Sequence, residues 1–201
     1  MRQLIVNTFV TLDGVMQAPG GPDEDRSGGF NLGGWSMPFW DAVTDESMSE
    51  FMGVPFDLLL GRGTYQIFAA YWPTSDEQPA AEQLNSARKY VASTTLKEVD
   101  WNNSQLLKGD VTAAIGKLKA QDGPEIQVHG SAGLLQTLWR TGLIDRIQLM
   151  IFPVAVGEGK RLFGTGTVPT SFTVTKSQMS STGVVIATYE PAGPVVTGTM
   201  G

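Results

Sequence analysis

Cysteine is absent from this 201-residue chain, and histidine occurs once, as His129. Without cysteine the chain can form neither a disulfide nor a thiolate metal site, and a cysteine nucleophile is excluded. A single histidine likewise excludes a metal site built from several histidines. Because there is no apolar run of about 18 residues, and no basic region followed by a long apolar stretch at the N-terminus, the sequence predicts a cytoplasmic protein without a membrane span.

Basic residues are in the minority in this chain. It has 14 Lys and Arg against 20 Asp and Glu, which gives a formal net charge of −6 at pH 7. A negatively charged protein repels polyanions at long range, so nucleic acid is not an expected partner. An anionic ligand must therefore be held by local donors and single Arg or Lys side chains. The 41% hydrophobic and 17% charged residues, with five Trp, indicate a folded globule.

Strand-like and helix-like segments alternate along most of the chain. Apolar runs and alternating patterns predict strands at 4–12, 57–60, 89–93, 105–108, 125–128 and 146–152. Helical spacing predicts helices at 45–52, 64–70, 80–87, 111–119 and 132–141, with Asp110 as the N-cap of the fourth. Residues 171–178 and 184–190 alternate as in an antiparallel hairpin. This order predicts an α/β fold whose largely parallel sheet has an antiparallel C-terminal edge.

Two segments show no periodicity. Residues 18–34 form a Gly- and Asp-rich stretch whose length is typical of a functional lid or of a disordered loop. Residues 191–201 are expected to form a flexible C-terminal tail, which leaves a single domain at 1–190.

One strand-to-helix turn carries a high density of small residues. It is the segment 128–134, VHGSAGL, which lies between the strand at 125–128 and a helix face formed by Leu134, Leu135, Leu138 and Leu143. Glycine at such a turn lets a backbone approach a phosphate closely, and the free N–H groups at the start of a helix favour an anion. Plain turn chemistry is the alternative interpretation of the same residues.

Seven short sequence blocks follow one another in a characteristic order. They are TLDG (11–14), LGRGTY (60–65), YWP (71–73), VAS (91–93), VHGS (128–131), GLID (142–145) and PVAVGEGKRLF (153–163). With these blocks the chain resembles the dihydrofolate reductase-like superfamily, and most closely the branch of the C-terminal reductase domain of riboflavin-biosynthesis deaminase-reductases. The resemblance covers residues 4–190. It implies a three-layer fold with helices on both faces of the sheet. It also implies a homodimeric, NADPH-dependent reductase that transfers a hydride to a small heterocycle, such as a pterin or a ribosylated pyrimidine.

The resemblance assigns the cofactor to three turns. The implied contacts are Gly61, Arg62 and Thr64 after the second strand, Ser93 and Thr94 after the third, and Gly130, Ser131, Ala132 and Gly133 in the small-residue turn. On chemistry alone, N–H groups, a hydroxyl and a guanidinium can hold phosphates, while Thr64 can equally be a helix cap. A guanidinium beside hydroxyls suits the extra phosphate that distinguishes NADPH from NADH.

Asp13, Trp35 and Asp45 are the candidates for the substrate site. Asp13 resembles the aspartate that this branch places beside its substrate, where a raised pKa would make it the catalytic residue that assists protonation. Asp-Gly is also a common turn pair. Trp35 is a candidate for stacking on a flat ligand, with core packing as the alternative. Asp45 matches the pterin-binding carboxylate of folate reductases in an ungapped register, or else belongs to a helix start.

His129 and the activity itself each have two interpretations. His129 ends a central strand, which favours a packed residue over a general acid. The competing interpretation of the whole chain is a nucleotide-binding or regulatory protein that keeps the fold and the cofactor site without turnover.

Overall fold

The computed structural model describes residues 1–200 of the chain, which contain eight strands and five α-helices. The strands are β1 (Leu4–Thr11), β2 (Phe56–Gly61), β3 (Lys89–Ala92), β4 (Ser104–Leu107), β5 (Glu125–His129), β6 (Arg146–Phe152), β7 (Phe172–Met179) and β8 (Val185–Pro191). The helices are α1 (Ala42–Met52), α2 (Arg62–Tyr71), α3 (Ala80–Ser86), α4 (Val111–Lys119) and α5 (Ala132–Leu138). Every strand and helix expected from the periodicity is present, with its ends moved by a few residues.

The eight strands form one sheet in the order β4-β3-β2-β5-β1-β6-β8-β7. Strands β1 to β6 are all parallel to one another. The C-terminal hairpin β7–β8 pairs antiparallel with β6, as the alternating pattern of its sequence predicts. The predicted α/β fold, with a mostly parallel sheet and an antiparallel edge, is therefore confirmed.

Helices cover both faces of the sheet. On one face, α4 and α5 bury residues such as Ile115, Leu118 and Leu135 against β1, β2 and β5. On the other face, α1, α2 and α3 cover two separate apolar clusters, one around Phe152 and one around Leu58. Because β1, β2, β3, β5 and β6 run parallel, their carboxyl ends share one edge of the sheet, and the loops that follow them meet there.

Two helix starts differ from the expectation. α1 begins at Ala42 rather than at residue 45, because the Asp41 carboxylate accepts hydrogen bonds from the backbone of Val43 and Thr44 in a capping box. α2 begins at Arg62, with Gly61 as its N-cap. Thr64 is thus the third helical residue, and the interpretation of Thr64 as the cap is wrong.

The long loop 18–34 is held at several points. The Gln17 amide nitrogen donates to the carbonyls of Asp25 (3.0 Å) and Ser27 (2.9 Å), and its oxygen accepts from the Lys160 backbone. Phe30, within the loop, is buried in the apolar cluster around Phe152. These contacts join the loop to the segment after β6, so the loop belongs to the wall of the carboxyl edge.

The C-terminal segment begins later than the sequence indicated. Pro191 still belongs to β8, and Ala192 donates to the carbonyl of Ser171 at 2.8 Å. The boundary of the domain at residue 190 stays a prediction, and Gly201 lies outside the described residues. Among residues 1–200, every helix is too short or too polar to cross a bilayer.

Candidate functional site

The turns after β2 and β5 are joined directly to one another. The Gly61 backbone N–H donates to Ser131 Oγ at 3.0 Å, and the Ser131 N–H donates to Thr64 Oγ1 at 3.0 Å. Ser131 Oγ in turn donates to the His129 carbonyl at 3.0 Å. The two predicted phosphate-binding turns therefore form a single structure, with the starts of α2 and α5 side by side.

The backbone of the second turn is left-handed at two consecutive residues. Gly130 has φ +53°, and Ser131 has φ +62° with ψ 46°. A left-handed serine costs conformational energy, so the hydrogen bonds of its hydroxyl and amide must hold it in place. The sharp turn brings β5 straight into α5 and exposes the amides of the first helical turn.

Both helix starts have free amides and an open approach. Neither α2 nor α5 has a side chain that caps its N-terminus. The second residue of each helix is an exposed glycine, Gly63 and Gly133, and a Cβ at either position would meet no atom within 4 Å. Free amides at a helix start favour an anion, and glycine there allows close approach of a phosphate.

Arg62 reaches the loop after β3. Its Nη1 donates to Thr95 Oγ1 at 3.0 Å, and both side chains are exposed. Ser93 Oγ accepts from the backbone amides of Thr95 (3.1 Å) and Leu96 (3.0 Å), so it shapes this loop. Ser93 Oγ also lies 3.4 Å from Thr95 Oγ1, so Thr95 connects Arg62 with Ser93. The sequence reasoning missed Thr95, which bonds to Arg62, whereas Thr94 is exposed.

Asp13 links the turn after β1 to the loop after β6. One carboxylate oxygen accepts from the Thr11 hydroxyl at 2.5 Å and from the Val156 amide at 3.3 Å, and the other accepts from the Gly157 amide at 2.8 Å. Arg161 Nη2 lies 3.8 Å from the same carboxylate. Asp13 thus holds a loop that follows it by more than 140 positions in the chain.

The hydrogen bonds of Asp13 favour its charged form. The Thr11 hydroxyl, followed by the backbone amides of Gly157 and Val156, lowers the pKa of Asp13 below the ordinary aspartate value, although burial opposes this shift. The raised pKa expected for Asp13 is therefore wrong, while its role as the catalytic residue stays a prediction. The geometry favours a positioning residue for the loop.

Replacing Asp13 with Asn should destabilise the fold by about 1 kcal/mol at neutral pH, because the amide keeps the size of the side chain but loses charge-assisted bonds. A carboxylate whose folded pKa is depressed contributes stability above its unfolded pKa of 3.8, and the contribution is lost as the pH falls below that value. Thermal unfolding at pH 6 and pH 3 checks this: the difference between wild type and variant should shrink at pH 3. An equal difference at both values would show that the charge of Asp13 contributes nothing.

The two other substrate-site candidates lie in different environments. Trp35 is only 6% exposed, its indole N–H donates to the Gln17 carbonyl at 2.7 Å, and its ring packs edge-on against Phe152. It is therefore a core residue, and its expected stacking on a ligand is wrong. Asp45 lies in the first turn of α1, is exposed, and accepts from the Trp40 indole at 2.5 Å. Trp40 itself is half-buried, in contrast to the buried Trp35.

His129 is packed inside the protein. Burial lowers its pKa to about 4, so the ring is neutral at physiological pH. Its Nε2 lies 2.8 Å from Gln127 Oε1, and its ring lies beside those of Phe56 and Phe68. The interpretation as a packed residue rather than a general acid agrees with this environment.

A sequence profile described as the RibD C-terminal domain matches residues 2–186, which is nearly the whole chain. The chain belongs to the RibD C-terminal domain family. An uncharacterized protein of Bacillus subtilis (strain 168), YyaP, is 28% identical over 192 residues, which cover 94% of each chain. This RibD C-terminal domain protein and its relative therefore match over nearly the whole of both chains.

Solved structures share the fold at lower identity. A putative riboflavin biosynthesis protein from Shewanella sp. PV-4 is 23% identical with a TM-score of 0.67, over 94% of this chain and 98% of that chain. A pyrimidine reductase-like protein from Corynebacterium diphtheriae is 13% identical with a TM-score of 0.61, over 94% and 92%. Dihydrofolate reductase from Enterococcus faecalis, complexed with NADP(H), is 12% identical with a TM-score of 0.58, over 94% and 96%. The dihydrofolate reductase-like fold is thus shown for this family member.

Proposed function

We propose that this RibD C-terminal domain protein is an NADPH-dependent reductase that transfers a hydride to a small heterocyclic substrate. The observation that carries the proposal is the joined pair of turns, in which Gly61, Thr64 and Ser131 hold two uncapped helix starts together. Such a structure offers several amides to one anionic group. The family and its dihydrofolate reductase-like fold support a reductase, and the Enterococcus faecalis neighbour was solved with NADP(H).

The residues at this edge fit a dinucleotide phosphate group. Gly63 and Gly133 leave the two helix starts open, and the Thr64 hydroxyl, which accepts from Ser131, still has its own proton to donate. Bound NADPH would supply the hydride, while the protein supplies position and electrostatics. The Arg62 guanidinium and the Thr95 hydroxyl, which bond to each other, would hold the additional phosphate of NADPH.

Replacing Arg62 with Ala should lower the affinity for NADPH by about ten- to a hundred-fold, because the charge-assisted bonds to the extra phosphate are lost. The affinity for NADH, which lacks this phosphate, should change little. Titration of both nucleotides against tryptophan fluorescence measures the two affinities. The matched control is Arg88→Ala, since Arg88 is also exposed but precedes β3 at the opposite edge of the sheet.

Three results of this titration separate the interpretations. A preference for NADPH that disappears in Arg62→Ala, but not in Arg88→Ala, supports the proposal. Equal binding of both nucleotides by wild type would contradict the role of Arg62. If wild type binds neither nucleotide, the proposal of a reductase is contradicted. If it binds NADPH tightly but no pterin or pyrimidine causes NADPH oxidation, the alternative of a nucleotide-binding regulatory protein is favoured.

The further properties expected from the sequence stay predictions. They are a cytoplasmic location, a homodimeric state, a small-molecule substrate, and no nucleic-acid or membrane partner. Size-exclusion chromatography with light scattering measures the oligomeric state directly.

A further inference from the structure

A row of polar side chains crosses the sheet beneath α1. Asn7 on β1 pairs in register with His129 on β5 and with Gln148 on β6. In-register residues of parallel strands point to the same face, so the three side chains lie next to one another. They face the side covered by α1 and α2, because His129 contacts Phe68 of α2. We call Asn7, His129 and Gln148 the polar row.

Two of the three members of the polar row, Asn7 and Gln148, have side-chain atoms without a hydrogen-bond partner among the described residues, whereas His129 bonds to Gln127. Asn7 is 4% exposed, and neither its side-chain nitrogen nor its oxygen has a hydrogen-bond partner among the described residues. Gln148 Oε1 is also buried without a partner. A buried carboxamide without partners costs free energy, and a leucine of similar size would avoid that cost. The unpaired groups therefore indicate a partner from outside the chain.

The polar row also interrupts the apolar core. The two clusters on this face of the sheet, around Phe152 and around Leu58, are separate, and both contact the half-buried Met48 of α1. Methionine is unbranched and adapts its shape easily. Phe9 follows Asn7 on the same face and contacts Trp40, which is half-buried at the carboxyl edge. A ligand entering from that edge would meet Trp40 and Phe9 before it reaches Asn7.

We propose that the polar row determines substrate specificity in the reductase, with the Asn7 carboxamide bonding an adjacent N–H and C=O of the substrate. Gln148 Oε1 accepts from a second N–H. A carboxamide pairs with such an edge through one donor and one acceptor, in the way that asparagine pairs with a nucleobase edge. The substrate class that fits is a flat heterocycle with a lactam. This inference rests on the proposed function, because it assigns a substrate to the same reductase.

The test compares two probes that differ in their N–H groups. 5-Aminouracil has the lactam N–H groups, and 5-amino-1,3-dimethyluracil has lost both of them to methyl groups. Calorimetry with wild-type protein saturated with NADPH should show that 5-aminouracil binds at least about tenfold more tightly. In Asn7→Leu this preference should disappear, while the unfolding temperature stays equal or rises because the unpaired amide is gone.

The control variant is Thr8→Val. Thr8 follows Asn7 on β1, is almost as buried, and points to the opposite face of the sheet. The Thr8→Val variant should prefer 5-aminouracil over 5-amino-1,3-dimethyluracil to the same extent as wild type. If Asn7→Leu fails to fold, Gln148→Met gives a second variant that keeps the volume of the side chain and removes the acceptor. It should lose part of the same preference.

The side-chain amide resonances of Asn7 give an independent measurement on the wild-type protein. These resonances, identified by their loss in a conservative Asn7→Asp variant, should shift on addition of 5-aminouracil. No shift, or equal binding of both probes, would overturn the inference and leave Asn7 bound to a buried water only. The amide shifts are measured both with and without NADPH, so the two failures can be told apart. Failure of NADPH to bind would overturn the proposed function rather than the role of Asn7.

Discussion

Replacement of Gly159 with alanine is expected to destabilise the protein by about 4 kcal/mol, since strain and overpacking act together. Gly159 has φ +133°, a conformation that residues with a Cβ rarely adopt. A Cβ there would lie 2.6 Å from Val15 Cγ1 and 3.2 Å from Phe30 Cε2. Both neighbours are buried in the cluster around Phe152, so neither has space to move away.

Gly157→Ala is the matched control for Gly159→Ala. Gly157 lies in the same loop with φ +82°, but a Cβ at this position would meet no atom within 4 Å. Its cost should therefore be about 1 kcal/mol, from backbone strain alone. Urea unfolding of both variants gives the two free energies. Similar values for the two would show that contact with Val15 and Phe30 contributes nothing.

The Gly159→Ala substitution should also affect the loops at the carboxyl edge of the sheet. Gly159 lies between Gly157, which donates to Asp13, and Lys160, whose amide donates to Gln17 Oε1 at 3.0 Å. The loop after β6 is thus held on both sides of the glycine. A displaced Gly159 would loosen the attachment of loop 18–34, which makes this position important for the wall of the site as well as for stability.

Replacement of Ser131 with valine is expected to cost about 3 kcal/mol in stability and to weaken NADPH binding. Valine is branched at Cβ and tolerates the left-handed φ of +62° poorly. It also removes the hydroxyl that accepts from the Gly61 amide and donates to the His129 carbonyl. The starts of α2 and α5 would then no longer be tied together on that side.

Two further variants separate the backbone of Ser131 from its hydroxyl. Ser131→Gly removes the hydroxyl but adopts the left-handed conformation without strain, whereas Ser131→Asn tolerates that conformation and keeps a polar side chain. If the Ser131 hydroxyl contributes to NADPH binding, the Ser131→Gly variant should bind NADPH more weakly than wild type but remain more stable than the Ser131→Val variant. Thermal unfolding and the fluorescence titration measure both effects. Unchanged NADPH affinity in both Gly and Val variants would remove the joined turns from the cofactor site.

Several features of the site were predictable from local sequence. The strand before each turn is an apolar run, and Gly61-Arg62-Gly63 and Gly130-Ser131 contain the small residues that such turns require. The family resemblance implied that Arg62 and Ser93 lie near each other, and in the structure both contact Thr95 at the ends of the neighbouring strands β2 and β3. Local patterns suffice here because a strand, its turn and its helix are neighbours in the chain.

Other residues were misjudged because their partners are distant in the sequence. Asp13 resembled a shielded acid, yet the Thr11 hydroxyl lowers its pKa, and amides 143 and 144 positions further along bond the same carboxylate and lower the pKa further. Trp35 resembled a stacking residue, yet Gln17 and Phe152 enclose it.

The sequence by itself determined the order of strands and helices, the parallel sheet with its antiparallel edge, and the position of the small-residue turns. Those properties follow from periodicity and from backbone preferences, which act over a few neighbouring residues. Only the tertiary structure decided that the turns after β2 and β5 bond to each other and that Asn7 is buried without a partner. Hydrogen bonding and burial depend on which distant segments pack together, and no local pattern of residues specifies that packing.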